Sequence, residues 1–153
     1  MAARVIDGID EVKALIGEHL GYSDWFAVTQ ERVNKFAEAT GDHQWIHVDV
    51  ERAKKESPFG GPIAHGYLTL SLGPVLYPQV VSFKGFAMGV NYGANKIRFM
   101  SPVPVGANLR LGVKLLQVDD VAGGIQSTME FTFEVENTPK PACVAEIIFR
   151  SYV

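Results

Sequence analysis

Cysteine is almost absent from this 153-residue chain, which contains it once, at Cys143. A single cysteine cannot form an intramolecular disulfide, so a disulfide-stabilised domain is excluded and a reducing, cytoplasmic location is expected. Cys143 lies in a strand-like run without a neighbouring base in the sequence. We therefore interpret it as an inert core residue rather than a reactive thiol.

The chain also lacks a block of basic residues. It has 14 Lys and Arg against 17 Asp and Glu, which gives a formal net charge of −3. Proteins that bind nucleic acid usually carry clustered Lys and Arg, so no nucleic-acid partner is expected. Residues 1–7 contain no apolar stretch of the length typical of a signal peptide, roughly 7–15 residues, and no secretory signal is expected.

Charge is missing altogether from Ser57 to Phe83, so this segment imitates a membrane span. Prolines and glycines interrupt it at Pro58, Pro62, Pro74, Pro78, Gly60, Gly61, Gly66 and Gly73. Lipid would leave the backbone groups freed by these residues without hydrogen-bond partners. We therefore predict no membrane partner and a helix buried within one domain, residues 1–153.

The first half of the chain is dominated by helical patterns. Apolar residues at helical spacing predict a helix over Ile9–Leu20, inside an N-terminal helical extension of residues 1–24. Thr29 can cap a second helix that ends at Thr40-Gly41, and a third is expected over Val50–Glu56.

The central apolar segment predicts a buried helix. Gly66–Leu72 has hydrophobic residues on most sides, which is typical of a helix enclosed by protein rather than one lying on a surface. Pro74 is expected to kink or end this helix, and Pro78 to prevent its continuation.

The second half of the chain predicts strands. Five runs have the required composition: Phe86–Tyr92, Asn95–Phe99, Asn108–Val118, Ile125–Glu136 and Ala142–Tyr152. Apolar and polar residues alternate most clearly in the third and fourth runs, and residues 119–124 and 137–140 have turn composition. The pattern indicates an α+β fold in which an antiparallel meander encloses one helix.

Two short segments carry the candidate chemistry. Asp42 and His47 are five residues apart just beyond the second helix, and Pro62–Gly66 opens the apolar helix. Together they suggest an acid/base pair that faces a helix N-terminus across an apolar cavity. In the alternative, Asp42 is only a turn former and His47 a hydrogen-bonded strand residue. No familiar metal-ligand motif is present, so no metal site is expected.

Three segments resemble the MaoC-like, (R)-specific enoyl-CoA hydratases. Residues Ala39–Asp49 resemble the hydratase motif of that family, Pro62–Gly66 the start of its central helix, and Asn91–Gly106 a strand and the junction that follows it. The resemblance extends from about Phe26 to the C-terminus. It implies the hotdog fold, an antiparallel sheet wrapped around a long central helix with overhanging helices, in which two hotdog units normally pair. Because a single such sheet exposes an edge and an apolar face, a homodimer is expected.

The resemblance also implies a reaction: reversible addition of water to a trans-2-enoyl thioester of coenzyme A or acyl carrier protein. No cofactor is needed for this. Asp42 and His47 match the catalytic dyad of the family, and Gly66 matches the backbone amide that polarises the thioester carbonyl. The family usually has Asn and Pro where this chain has Gln44 and Trp45. That Asn helps to hold the catalytic water, and Gln44 offers the same amide on a longer side chain.

Four further polar residues are candidates for substrate contacts. Tyr92 and Asn95 are expected on or beside a strand that borders the cavity, where they can contact substrate or pair with backbone. Ser71 either lines the pocket or bonds to its own helix. His65 is either a structural histidine near the helix start or a third catalytic group. Candidates for the phosphates of coenzyme A, or for a solvated sheet face, are Lys84, Lys96 and Arg98.

Two other functions remain open at this point. Hotdog folds also host thioesterases, in which a carboxylate is typically the base or nucleophile, without the spacing seen between Asp42 and His47. A non-catalytic hotdog subunit that binds acyl thioesters and supports a catalytic partner is the other alternative. It predicts an incomplete dyad, whereas both members are present here.

Overall fold

Six strands of the protein form one antiparallel sheet that packs against a helical segment. The computed structural model describes residues 2–153. In chain order the elements are β1 Arg4–Asp7, α1 Gly8–Ala14, β2 His19–Tyr22, β3 Phe26–Ala27, α2 Gln30–Thr40, α3 Trp45–Val48, α4 Val50–Glu56, α5 Gly66–Ser71, α6 Gly73–Val80, β4 Val81–Lys84, β5 Met88–Phe99, β6 Asn108–Val121, β7 Gly124–Val135 and β8 Cys143–Tyr152.

The main sheet has the order β2-β6-β7-β8-β5, and β3 also pairs with β6. Strands β6, β7 and β8 follow one another in the chain and pair antiparallel, so the predicted meander is confirmed. Every second residue of β7 is buried, from Ile125 to Val135, as the alternation of its sequence predicts. Strands β1 and β4, which the sequence patterns did not reveal, form a separate parallel pair.

The helices α5 and α6 follow each other across Leu72 and form the central helical segment. Its buried residues Leu68, Leu72 and Leu76 recur every four positions and therefore share one face. Gly73 lets the segment approach the sheet, since a Cβ there would lie 3.3 Å from the Phe131 ring.

The two prolines of this segment have different effects on the helix. Pro74 lies in the first turn of α6, where its missing N–H is not needed, so a new helix begins there. The prediction that Pro78 prevents continuation is wrong, because α6 runs to Val80. Because Pro78 has no N–H, one helical hydrogen bond is missing, the one to the carbonyl of Pro74. Both prolines are exposed, so water can solvate that carbonyl instead.

The predicted N-terminal helix is correct only in its first half. Helix α1 ends at Ala14, and His19–Tyr22 forms strand β2 on the edge of β6. Gly17 has φ +90°, and its amide donates to the Leu115 carbonyl at 2.7 Å. Pairing with β6 therefore overrides the helical spacing of the local sequence, and the 1–24 segment is a mixture of strand and helix.

The structure confirms the predicted helices α2 and α4, which lie before and after residues 42–47. Thr29 Oγ1 accepts a hydrogen bond from the Arg32 amide at 3.2 Å and caps α2, which ends at Gly41 with φ +83°. Helix α4 spans the predicted residues, and Asp49 caps it through the Arg52 amide.

Strand β5 joins two runs that were predicted separately. It pairs with β8 over its whole length, and its register shifts at two bulges. Tyr92 and Asn95 are the residues without a partner in that register. A bulge turns side chains away from the regular alternation, which explains why the sequence looked like two strands.

No helix among residues 2–153 is long and apolar enough to cross a lipid bilayer. The uncharged segment that imitates a membrane span is divided into a loop, two short helices and the start of strand β4. Cys143 is fully buried in β8, and burial raises the pKa of its thiol to about 11. The thiolate is thereby disfavoured, in agreement with its interpretation as an inert core residue.

Candidate active site

Asp42 is held at the end of helix α2 by a short turn. Gly41 adopts the left-handed conformation that ends the helix, and Asp42 follows it. The Asp42 carboxylate accepts a hydrogen bond from the Gln44 amide at 3.3 Å. Asp42 is therefore a turn former, as one sequence interpretation stated, but its carboxylate remains exposed and available to other groups.

His47 lies in the short helix α3, not in a strand, so that part of the alternative interpretation is wrong. Its side chain is buried, and Nδ1 lies 2.7 Å from the Ile63 carbonyl oxygen. A carbonyl oxygen can only accept, so Nδ1 carries the proton of this bond. Nε2 of the neutral ring therefore bears the free lone pair, as a general base requires.

The pKa of His47 lies below the ordinary value for histidine. Burial is the main cause, because it disfavours the charged imidazolium, and His65 acts in the same direction. The hydrogen bond to Ile63 and the negative charge of Asp42 oppose this shift without cancelling it. The neutral, proton-accepting form of His47 is thus favoured near neutral pH.

The two dyad members converge with His65. A carboxylate oxygen of Asp42 and ring nitrogens of His47 and His65 all lie within 4.8 Å of one another. Two hydrogen bonds of ordinary length that meet at one water molecule span about 4.6 Å. A distance of this size allows one water to bridge the Asp42 carboxylate and a ring nitrogen of His47.

His65 contacts both members of the dyad. Its Nε2 lies 3.0 Å from the backbone oxygen of Asp42, and its ring stacks on that of His47 with centroids 3.9 Å apart. The side chain is only 2% exposed, and Phe36 packs on it as well. Of the two sequence interpretations, a hydrogen-bonded histidine at the helix start describes these contacts.

Gly66 is the first residue of α5. Its amide therefore has no carbonyl one turn earlier within the helix and is free to donate elsewhere. The ring of Phe99 lies so close that a Cβ on Gly66 would be 3.1 Å from it. Gly66 also lines a cavity of about 340 Å³, together with Ile63, Thr69 and Phe99. Asp42 and His47 do not line this cavity and lie beside it.

The cluster of Asp42, His47 and His65 also has the composition of a metal site. One nitrogen of each ring is already engaged, since His47 Nδ1 and His65 Nε2 are directed at carbonyl oxygens. Each ring therefore has one nitrogen left for a further partner. A water molecule, which both donates and accepts hydrogen bonds, can meet these groups as well as an ion can.

A second cavity, of about 490 Å³, lies farther along the central helical segment. Leu70, Gly73 and Tyr77 line it on the helix side, with Asn91–Ala94 of β5 opposite. Burial raises the pKa of the Tyr77 hydroxyl well above its usual range, so this group stays protonated. Both cavities thus lie between the helical segment and β5, one after the other from Gly66 onward.

The other predicted contact residues have different positions. Tyr92 lines the larger cavity, and Arg150 stacks on its ring at 3.7 Å. Asn95 and Ser71 are exposed and line neither of the two cavities. Gln44 is exposed, and its backbone N–H donates a hydrogen bond to the Asp42 carboxylate. Their contact with substrate stays a prediction.

The predicted phosphate-binding cations do not form one cluster. Lys84 ends β4, whereas Lys96 and Arg98 line a shallow depression on the sheet together with Glu130 and Glu146. Two carboxylates in the same depression offset the positive charge there. This arrangement has the character of a solvated sheet face.

Sequence reasoning missed the contributions of Ile63, Tyr77 and Asn91. The backbone carbonyl of Ile63 fixes the tautomer of His47, and no side-chain pattern announces a carbonyl contact. Tyr77 and Asn91 line the larger cavity. Tyr77 follows Gly66 by 11 positions, three helical turns, and that spacing could have placed it on the same helix face.

Comparison with known protein families gives one clear match. The family model described as "MaoC like domain" matches residues 11–137 of the chain. The chain is 51% identical over 148 residues to a Mycobacterium tuberculosis (strain ATCC 25618 / H37Rv) protein named 3-hydroxyacyl-thioester dehydratase Z. The match covers 96% of this chain and 97% of that relative.

Solved structures with the same fold are more distant in sequence. One is described as a monoamine oxidase regulatory protein from Archaeoglobus fulgius, with a TM-score of 0.78, 22% identity and coverage of 100% of this chain and 99% of that one. Another is an (R)-hydratase from A. caviae involved in PHA biosynthesis, with a TM-score of 0.72 and 22% identity over 88% of this chain and 94% of that one. These similarities confirm the predicted hotdog fold.

Proposed function

The chain belongs to the MaoC-like domain family, and we propose that it is a hydro-lyase that interconverts trans-2-enoyl thioesters and (3R)-hydroxyacyl thioesters. The observation that carries this proposal is the convergence of Asp42 and His47 to within the span of one bridging water. The name of the mycobacterial relative, a 3-hydroxyacyl-thioester dehydratase, supports the same reaction class. The thioester is that of coenzyme A or of acyl carrier protein.

In the hydration direction, the neutral His47 takes one proton from the bridging water through Nε2. The water oxygen forms a bond to Cβ, and the π electrons move through Cα to the thioester carbonyl as an enolate. Asp42 orients the water and stabilises the imidazolium that forms. The imidazolium then returns the proton to Cα, the second hydrogen stays on the new hydroxyl, and the dyad ends unchanged.

Gly66 supplies the electrostatic part of the reaction. Its free amide at the start of α5 donates to the carbonyl oxygen as negative charge builds on it. The lack of a side chain keeps that approach open between the helix and Phe99. The acyl tail then extends along the helix toward Leu70 and Tyr77, into the larger cavity.

A direct assay tests the proposed function. Purified protein and crotonyl-CoA, with longer trans-2-enoyl-CoAs beside it, should show loss of the enoyl absorbance and formation of the (3R)-hydroxy product. The same mixtures are assayed for free thiol. Thiol release without hydration would indicate the thioesterase alternative, and tight binding without turnover would indicate a non-catalytic subunit.

The edge of the main sheet leads us to propose a homodimer. Strand β5 is 12 residues long, lies at the edge of the sheet and carries exposed apolar side chains, among them Met88 at 54% and Tyr92 at 57% exposure. Such an edge is a site for pairing with another chain, and a second copy of this one can cover it. A copy at this edge would also close the larger cavity, which residues 91–94 line.

We expect sedimentation to give the mass of a dimer and the double variant Met88→Lys/Val90→Lys to give a monomer, because two lysines on the edge oppose pairing. Ile16→Lys is the matched control: it changes an apolar side chain that is 41% exposed and lies away from β5, and it should remain dimeric. A monomeric wild-type protein at all concentrations would contradict the proposal.

A further inference from the structure

We propose that His65 is a positioning residue, which holds Asp42 and His47 in their productive arrangement beside Gly66. The inference rests on the proposed function, since it assigns a task within the same site. His65 does not have to touch substrate for this task. It acts through the backbone of Asp42 and the ring of His47.

The first argument comes from how the two segments of the site are joined. Ile63 makes two of the connections: its carbonyl accepts from His47 Nδ1 at 2.7 Å, and its amide donates to Ile46 at 3.0 Å. Both connections hold the His47 end of the segment 42–47. Within residues 2–153, the hydrogen bond from His65 Nε2–H to the Asp42 carbonyl is the one that ties Asp42 to the segment 62–66 at the start of α5.

The second argument comes from ring packing. Donation to Ile63 leaves the His47 ring free to pivot about that bond, which would carry Nε2 away from Asp42. The face of His65, stacked at 3.9 Å, opposes this rotation. Phe36 lies against His65 at 4.9 Å and keeps the His65 plane in place in turn. The direction of its Nε2–H toward Asp42 is thereby fixed as well.

The third argument separates the donor from the ring. Because the Asp42 carbonyl can only accept, His65 Nε2 carries the proton and Nδ1 of the neutral ring has a lone pair. That Nδ1 is buried and accepts no hydrogen bond from a protein group within residues 2–153. In the described part of the chain, Nε2–H thus makes the hydrogen bond by which the His65 ring is tied to another segment. Phenylalanine would keep a stacked ring and lose this bond.

Two variants test this assignment by separating the two properties. His65→Phe keeps a ring but has no donor, and His65→Gln has no ring but places an amide N–H near the position of Nε2. We expect His65→Phe to lower kcat about 10²-fold with KM changed less than threefold, since a displacement of about 1 Å has that effect. His65→Gln should keep kcat within about fivefold of the wild type: the donor to Asp42 is restored, and the remaining small loss is that of the ring stacked on His47.

A readout that needs no turnover accompanies the kinetics. The charge of Asp42 raises the pKa of His47, so Asp42→Asn should lower that pKa when the His47 ring is titrated by ¹⁵N NMR. If His65 holds Asp42 in place, this effect of Asp42→Asn should shrink in the His65→Phe background and persist in His65→Gln. The titration remains informative even if no substrate is hydrated, so failure of the proposed function and failure of this inference give different results.

Some outcomes would overturn the inference. One is a His65→Phe protein with wild-type kcat and the full effect of Asp42 on His47. Another is a His65→Gln protein that loses as much activity as His65→Phe, because restoring an N–H donor at position 65 would then not restore the arrangement of the dyad. Thermal unfolding identifies a variant that does not fold. His65→Leu, smaller and also without a donor, then takes the place of His65→Phe with the same expected results.

Discussion

Asp42→Asn and His47→Asn should each lower kcat for enoyl-CoA hydration by about 10²- to 10⁴-fold, the usual contribution of a positioned acid or base. Asn at 42 loses the charge that orients water but can still accept from the Gln44 amide. Asn at 47 places an amide N–H near the position of Nδ1 and can still donate to Ile63, while Nε2 is lost. The chemistry is removed and the local hydrogen bonds are kept.

Thermal unfolding of both variants should therefore stay near that of the wild type. His43→Gln is the control, because His43 is an exposed histidine in the same loop. That variant should retain wild-type activity. If Asp42→Asn and His47→Asn remained folded and active, the dyad assignment would be wrong.

The pH dependence of the same proteins gives a second view of the dyad. Burial holds the pKa of His47 below its ordinary value of about 6.5, so the acid limb of kcat/KM should lie below pH 6.5. Asp42 raises this pKa, so Asp42→Asn should move the limb still lower, while residual activity can be measured. A limb above pH 6.5 in the wild type would contradict the assignment of this limb to His47, whose pKa is lowered.

The same shift predicts a direction for stability. His47 binds its proton less readily in the folded protein than in the unfolded chain. Its contribution to stability is therefore present above about pH 6.5 and is lost as the pH falls toward the lower pKa of the folded state. His47→Asn should reduce this part of the acid dependence of unfolding.

Gly66→Pro should lower kcat by about 10²- to 10³-fold, because it removes the amide hydrogen that we assign to the enolate oxygen. The position itself tolerates proline. Gly66 is the first residue of α5, where a missing N–H costs the helix nothing. His65, the preceding residue, has φ −59° and ψ 140°, which is the backbone region that a residue before proline adopts.

Gly66→Ala is the matched control for this substitution, since it adds a Cβ and keeps the amide. That Cβ would lie 3.1 Å from the ring of Phe99, which is a partly exposed side chain and can shift by a few tenths of an ångström. Alanine should therefore change kcat far less than proline does. Equal losses in the two variants would assign the effect to crowding against Phe99 instead of the amide.

The sequence predicted most of the main sheet because its signals are local. Alternation along residues 108–115 and 125–135 corresponds to strands whose every second side chain is buried, and the turns that follow them contain Gly123 and Asn137, which have positive φ. The cap at Thr29 and the stop at Gly41 are likewise set by neighbours in the chain. That stop places Asp42, so one member of the candidate dyad was positioned by local sequence alone.

The predictions were wrong where pairing with a distant segment determines the secondary structure. Residues 15–20 have helical spacing, but the free edge of β6 offers hydrogen bonds that make His19–Tyr22 a strand. The bulges that remove Tyr92 and Asn95 from the alternation of β5 depend on its register with β8. Neither partner strand is a sequence neighbour, so no local pattern carries that information.

For the site, the sequence determined which residue types were available: a carboxylate at 42, an imidazole at 47 and a glycine at the start of a helix. Only the tertiary structure decided how they act. The carbonyl of Ile63, 16 residues away from His47, selects which ring nitrogen keeps its lone pair. His65, 23 residues away from Asp42, ties that residue to the helix start. Direction and protonation state arise from contacts between segments that meet only after the chain has folded.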